Sequence, residues 1–298
     1  MDKRLKILFI CIPILLVALT GNFYKNKDSY WSALPEEGII SGDYYRIVKT
    51  SDSGKSASLE VIKNNTEIVK VEYNEISGRN SSKRYNQGLS KRFSEYNFNM
   101  MKEGDEGISW AEVILDIEKQ MVEKQSLTGE FDMIAGCTHS IELSMLPLAA
   151  EMEKKLENPS GARYYELTKN LGGGLYGNLR VVLEAGNIIS CKYDELFAPK
   201  KKDIIYKDLK EFYRQSKYNS MEYGDPSGIG FNTQMDSLNE KVVSTQNMLD
   251  IGGLPATADN PERNKKRNLA WDNYIVLAKI ILKEINKEDF YDNAEGSN

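Results

Sequence analysis

Thr138 and Ser140 are hydroxyls two residues apart, and they close the stretch Asp132-Met-Ile-Ala-Gly136-Cys-Thr138-His-Ser140. A short apolar segment, Phe131 to Ile134, leads into it, and Leu148, Met152 and Leu156 follow at helical spacing. The hydroxyls therefore stand where a helix should begin. The free N–H groups of a first helical turn and the positive end of its dipole favour an anion, a phosphate above all, and Gly136 permits a close backbone approach. No Lys or Arg lies between Gln125 and Leu148, so such an end would hold one negative charge without a basic partner. An ordinary N-cap is the plainer role for Thr138. Cys137 and His139 flank it, but thiol–imidazole pairs are seldom built from i and i+2 neighbours, and His139 is the single His of the chain, which excludes multi-His metal sites.

The elements that must position these residues can be read outward from them. Ser109-Trp-Ala-Glu112 is a capping box, and Trp110, Ile114, Ile117 and Met121 recur at helical spacing up to Gly129, which predicts a helix of about five turns ahead of the site. Pro147 kinks the helix after the site or delays its regular part to about Leu146. Further back the chain repeats itself. A shift of 120 residues matches Tyr44, Tyr45, Lys49, Gly54, Leu59, Val61, Ile68, Tyr73 and Glu75 to identical residues from Tyr164 to Glu195 without a gap. Each copy reads as an antiparallel hairpin, turning at Asn64-Asn65 in the first and at Ala185-Gly186-Asn187 in the second. The likeness resumes at Tyr85-Asn86 against Tyr218-Asn219, at Gly107-Ile-Ser-Trp110 against Gly228-Ile-Gly-Phe231, and at Leu148-Ala149 against Leu277-Ala278.

The copies part company at the hydroxyl motif. Its nearest second version, Asp250-Ile-Gly-Gly-Leu-Pro255-Ala-Thr257, is longer by one residue and has Pro255 in place of the Gly, so Thr257 is the weaker candidate. The Gly172–Gly174 run lacks a following Lys-Ser/Thr and reads as a hairpin turn, not as a phosphate loop. Lys200–Lys202 and the basic cluster from Arg263 to Arg267 read as local solvated charge.

Composition bounds the rest. With 28% charged and 41% hydrophobic residues the chain of 298 can bury a core, and its three Cys make no disulfide framework. Cys137 and Cys191 lie in different copies and would pair only if the copies pack together. A net charge of −5 argues against nucleic acid as a partner. Lys3, Arg4 and Lys6 precede an uncharged apolar run from Ile7 to Leu19, the pattern of an export signal; residues 1–24 are a signal peptide or a membrane anchor that puts the remainder outside the cytoplasmic membrane. Removing them takes away one acid and three bases, so the formal −5 becomes −7.

With these residues in view, Asp132 through Thr138 resembles the flavinylation motif of the FMN-binding domain family, which includes the C subunit of the sodium-pumping NADH:quinone oxidoreductase and tandem-domain surface flavoproteins. Asp132, Gly136 and Thr138 match that motif, while Ala135 stands where Ser or Thr is usual and Cys137 where Ala is usual. The resemblance covers residues 40 to 156 and implies an α+β fold of two tandem FMN-binding-like domains, each an antiparallel sheet flanked by helices. The expected division is a linker over 25–39, an FMN-binding domain over 40–157, a degenerate second domain over 158–288 and a tail over 289–298. It further implies FMN joined to Thr138 by a phosphoester bond, a flavin transferase that uses FAD as donor, and electron transfer from a membrane donor to an extracellular acceptor. The chain would then be a redox carrier more than a self-contained enzyme. Trp110, Phe131, Met145 and Tyr85 are the candidate walls for the flavin ring. The alternative is an exported, non-redox binding or scaffold protein that keeps the fold without flavin.

Overall fold

The structure is a computed structural model that describes residues 34–52, 54–76, 90–92, 94, 110–133, 138–220, 223–225, 227–256 and 269–295. The signal or anchor segment, Tyr85, Gly136, Cys137, Thr257 and the 263–267 basic cluster lie outside the described residues, as do the side chains of Thr138 and of the tail.

Two runs of alternating apolar residues fold as three-stranded antiparallel meanders. The first comprises β1 (Gly38–Thr50), β2 (Ser56–Asn64) and β3 (Glu67–Ile76); the second comprises β4 (Ala162–Gly172), β5 (Leu175–Glu184) and β6 (Asn187–Phe197). The meanders are not separate sheets: β1 pairs antiparallel with β4 from Gly38↔Thr168 to Asp43↔Arg163, giving one six-stranded sheet of order β3-β2-β1-β4-β5-β6. The fold is therefore mixed α+β around a single antiparallel sheet. β1 serves both neighbours by passing from β4 to β2 at Asp43, beside Gly42. A Cβ on Gly42 would stand 2.2 Å from the Lys63 carbonyl oxygen, so only glycine admits that approach.

Helices cover one face of the sheet. In the first half these are α1 (Trp110–Lys124) and a run that opens with one α-helical turn (Thr138–Ser140), widens to a π turn (Ile141–Met145) and continues as α2 (Leu146–Lys155). In the second half they are α3 (Phe231–Thr245) and α4 (Ala270–Glu295). Pro147 accounts for the wide turn. It has no N–H to offer and its ring would meet the carbonyl of Leu143, so the regular α-helix begins only at Leu146, as the sequence led us to expect. Each half has its own apolar core: Leu59, Val61 and Tyr73 under Trp110, Ile117 and Met145 in the first, and Leu179, Val181 and Tyr193 under Leu238, Tyr274 and Ile281 in the second.

Sheet edges are blocked in the same way in both halves. Gln125 ends α1 in the left-handed region (φ 52°), accepting from the Ile68 N–H at 2.7 Å and donating to the Ile68 carbonyl at 2.9 Å. Gln246 does the same at the end of α3 (φ 55°), with Ile188 at 2.7 and 3.0 Å. Glu118 takes the Tyr73 N–H, and Asn239 the Cys191 N–H, so outward-facing edge amides on β3 and β6 meet side-chain oxygens. The isolated bridges Ile76↔Ser90 and Leu196↔Ser216 align Ser90-Lys91 with Ser216-Lys217. Tyr218 thus corresponds to Arg92 and not to Tyr85; the short Tyr-Asn match in the sequence was out of register because the two β3/β6 exit loops differ in length.

The Gly172–Gly174 run is the β4–β5 turn, with φ of 85°, 65° and 82°. It docks on the segment after β6: Ala198 N–H donates to the Gly174 carbonyl at 2.8 Å and Ile205 N–H to that of Gly173 at 3.2 Å.

Candidate functional site

The approach to the motif is fixed to α1 by its polar side. The Asp132 N–H donates to Gln120 Oε1 at 2.8 Å and Gln120 Nε2 donates to the Asp132 carbonyl at 2.9 Å, so this backbone is clamped while the residue itself is exposed. Lys124 donates to the Glu130 carbonyl and lies 5.1 Å over the ring of half-buried Phe131. Thr138 opens the helical run, and His139 beside it is exposed.

Ser140 ties that first turn to the layer beneath. Trp110 Nε1 donates to Ser140 Oγ at 3.2 Å. Glu75 gathers Tyr73 Oη at 2.7 Å and the Lys91 ammonium, which itself sits 5.7 Å over the Trp110 ring. Burial pushes the Glu75 carboxyl up, but the hydrogen bonds of Lys91 and Tyr73, the Lys91 charge and Ser140 together hold it below the usual carboxylate range. Such a group stays ionised and is not a poised proton carrier.

The second half repeats this cluster. Tyr193 Oη and Lys217 Nζ reach Glu195 at 2.9 and 2.6 Å, and Lys217 sits 5.8 Å over the Phe231 ring, the counterpart of Trp110. Asn273 of α4 donates to Glu195 at 2.8 Å. Next to it, the half-buried Asp194 accepts from Ser216 and from the Tyr218 N–H, and desolvation pushes its carboxyl up to about 6.

The face of the sheet away from the helices carries charge. Lys70 and Glu72 of β3, Glu166 of β4 and Arg180 of β5 form one buried network, in which Arg180 binds Glu72 through two parallel bonds of 2.7 and 3.0 Å and Glu166 at 3.1 Å. Three strands separate β3 from β5, a gap of roughly 19 Å in a flat sheet. The Arg180–Glu72 pair therefore requires the sheet to curl strongly around this face. Burial pushes Glu72 and Glu166 up, yet Arg180 and Lys70 hold both below the usual range, Glu166 at about 2. Along this network opens a cavity of about 320 Å³ lined among others by Arg46, Glu60, Asn74, Lys192, Asp194 and Asp236, and bordered by both edge strands.

Several sequence candidates take different places from those expected of a ring wall. Trp110 and Met145 are fully buried in the first core and Phe131 is covered by Lys124, whereas Met133 and Leu143 are exposed near the motif (42% and 65%). The resemblance offered Trp110 as a wall for the flavin ring; in the structure it is a core residue whose indole N–H donates to Ser140. Cys191 is buried against Tyr274 Oη, and desolvation pushes its thiol up to about 11. Among the described residues no group of three or more His, Cys, Asp or Glu could hold a metal ion, and no helix is long and apolar enough to cross a membrane.

No family model matches the chain, and no curated protein matches it. The crystal structure of the CPE2226 protein from Clostridium perfringens is similar at 29% sequence identity, over 40% of this chain and 90% of that one, with a TM-score of 0.30.

Proposed function

We propose that the chain is an exported electron carrier with FMN joined to Thr138, built as two FMN-binding-like domains over 40–157 and 158–288 of which only the first carries flavin. The observation that carries this reading is the position of Thr138 in the first turn of the helical run from Thr138 to Lys155, in the half that holds Asp132, Gly136 and Thr138 together. The donor set fits the group: a first helical turn offers N–H groups and a positive dipole end to a phosphodiester that keeps one negative charge. Exposed Met133 and Leu143 offer apolar surface near it. Separate apolar cores in the two halves favour the two-domain reading.

In attachment, a flavin transferase breaks the pyrophosphate P–O bond of FAD, the Thr138 hydroxyl oxygen takes the FMN phosphorus and gives up its proton, and AMP leaves. When bound, the flavin supplies acceptance and release of one or two electrons. The chain's own residues hold the phosphate, orient the helix start and fix the Asp132 backbone. A membrane donor and an extracellular acceptor complete the proposed route, and covalent attachment keeps the cofactor from diffusing away outside the cell.

The test is co-expression of the full chain with a flavin transferase proven on a control substrate, read by intact mass and in-gel flavin fluorescence. The wild type should gain one FMN and Thr138→Ala none; an unmodified wild type refutes the reading, and addition to Thr138→Ala moves the site. One observation favours the second reading, an exported binding protein without flavin: the cavity along the charged network is large enough for a small polar solute, and none of its lining residues belongs to the motif.

A further inference from the structure

The two halves form an internal comparison between what the fold needs and what the site needs. Features kept in both halves belong to the architecture: the Gln125 and Gln246 edge clamps, the Ser90-Lys91 and Ser216-Lys217 bridges, the Tyr73–Glu75–Lys91 and Tyr193–Glu195–Lys217 clusters, and a Lys over the first aromatic ring of the helix. A feature kept only where the motif is kept is a candidate for the site. The bond from Trp110 Nε1 to Ser140 Oγ is such a feature. Its donor is replaced in the second half by Phe231, which holds the same place at the first position of its helix, is equally buried and has no N–H to give.

Its acceptor is replaced as well. Counting back from Leu277, the equivalent of Leu148, the position of Ser140 falls on Leu269, or on Ala270 once the extra residue of the π turn is allowed for. Neither has a polar side chain. Both ends of one hydrogen bond have thus become apolar in the half whose motif is broken, while the packing around them is retained. The second helix is fastened elsewhere, by Trp271 Nε1 donating to the Pro255 carbonyl at 3.0 Å and by Asn273 on Glu195.

We propose that the Trp110–Ser140 bond is a positioning device for cofactor attachment: it pins the first turn of the helical run so that the Thr138 hydroxyl is presented to the transferase in one geometry. The inference rests on the reading of Thr138 as the FMN acceptor. Ser140 is half-buried and accepts from Trp110 at the start of α1, so its loss unfastens the turn from α1 while removing no apolar side chain from the core. The bond that forms on Thr138 and the departure of AMP are unchanged; what changes is how often the hydroxyl is in place when FAD is bound.

The test uses the full chain co-expressed with a flavin transferase, comparing wild type, Trp110→Phe, Ser140→Ala and Ser140→Thr for the rate of FMN incorporation, with thermal melting beside it. Trp110→Phe and Ser140→Ala should slow incorporation about tenfold at a melting temperature within a few degrees of wild type, and Ser140→Thr should restore it. Without any transferase, amide exchange over residues 138–142 should be about tenfold faster in Ser140→Ala, with that over β4–β6 unchanged. Incorporation into Ser140→Ala at the wild-type rate overturns the inference while leaving Thr138 as the acceptor; so does a loss that tracks lowered melting or that Ser140→Thr shares. A wild type that takes up no FMN overturns both.

Discussion

Replacing Glu166 by Gln measures how strongly the charged face ties the two halves together. Glu166 is 1% exposed and accepts from the Lys70 ammonium, Arg180 Nε at 3.1 Å, Asn178 Nδ2 at 2.8 Å and Tyr164 Oη at 3.0 Å. Its carboxyl is held at about 2 against an ordinary 4.5, by Lys70 and Arg180 acting against burial. A depression of that size corresponds to about 3 kcal/mol of stability at neutral pH. The sign follows from the depressed value: the contribution is complete above about pH 4.5 and is lost as pH falls toward 2. Gln keeps the shape and part of the bonding but leaves Lys70 and Arg180 with Glu72 alone. Removing one partner of a buried ion pair costs about 3 to 5 kcal/mol, so Glu166→Gln should lower stability by about 3 kcal/mol at pH 7 and the melting temperature by roughly 6 to 12 °C. The assay is urea unfolding of both proteins at pH 7, 4.5 and 3. The gap should narrow at pH 3, where the wild type has begun to lose the same charge. A variant within 1 kcal/mol of wild type at pH 7, or a gap that does not change with pH, would refute the view of this network as a charge-balanced tie between β3, β4 and β5.

Asp194 should behave in the opposite sense. Its carboxyl is raised by burial to about 6 from 3.8, so its contribution is full below pH 3.8 and is lost as pH rises through 6; Asp194→Asn should raise the urea midpoint at pH 8 more than at pH 5, and an equal effect at both would count against the assignment. Gly174 sits at φ 82° with a would-be Cβ 2.5 Å from the Asp203 carbonyl oxygen, so Gly174→Ala should cost about 1 to 3 kcal/mol in unfolding, whereas Gly186→Ala, whose Cβ would meet nothing within 4 Å, should cost less.

Much of the scaffold was legible because its signals are local. The period-two apolar runs and their turn formers announced the hairpins, and the capped period of Trp110 to Met121 announced α1, now seen from Trp110 to Lys124. Pro147 marked where regular helix begins. The joining of the meanders was not legible. Pairing of Gly38–Asp43 with Arg163–Thr168 is a choice between long-range partners that alternation alone does not rank, and it turned two expected sheets into one. The charged network was hidden for the same reason: nothing in the sequence ranks Lys70, Glu72, Glu166 and Arg180 as partners, and only the curl of the sheet brings them within bonding distance. At the candidate site, the hydroxyls and their helix were legible, but the bond from Trp110 to Ser140 was not, because an indole at helical spacing reads first as core.

The β1–β4 seam has a consequence for the chain as an assembly. A sheet of this kind has two free sides, and here each is sealed by a helix that offers Gln, Glu or Asn to the strand amides. Between the halves, Gly38 to Asp43 of β1 and Arg163 to Thr168 of β4 are spent on each other. The second half is therefore the lateral neighbour of the first, and it takes β1 amides that would otherwise lie open. A half separated at residue 157 would carry its own apolar core and an open row of amides along β1, and would be prone to pair with its like.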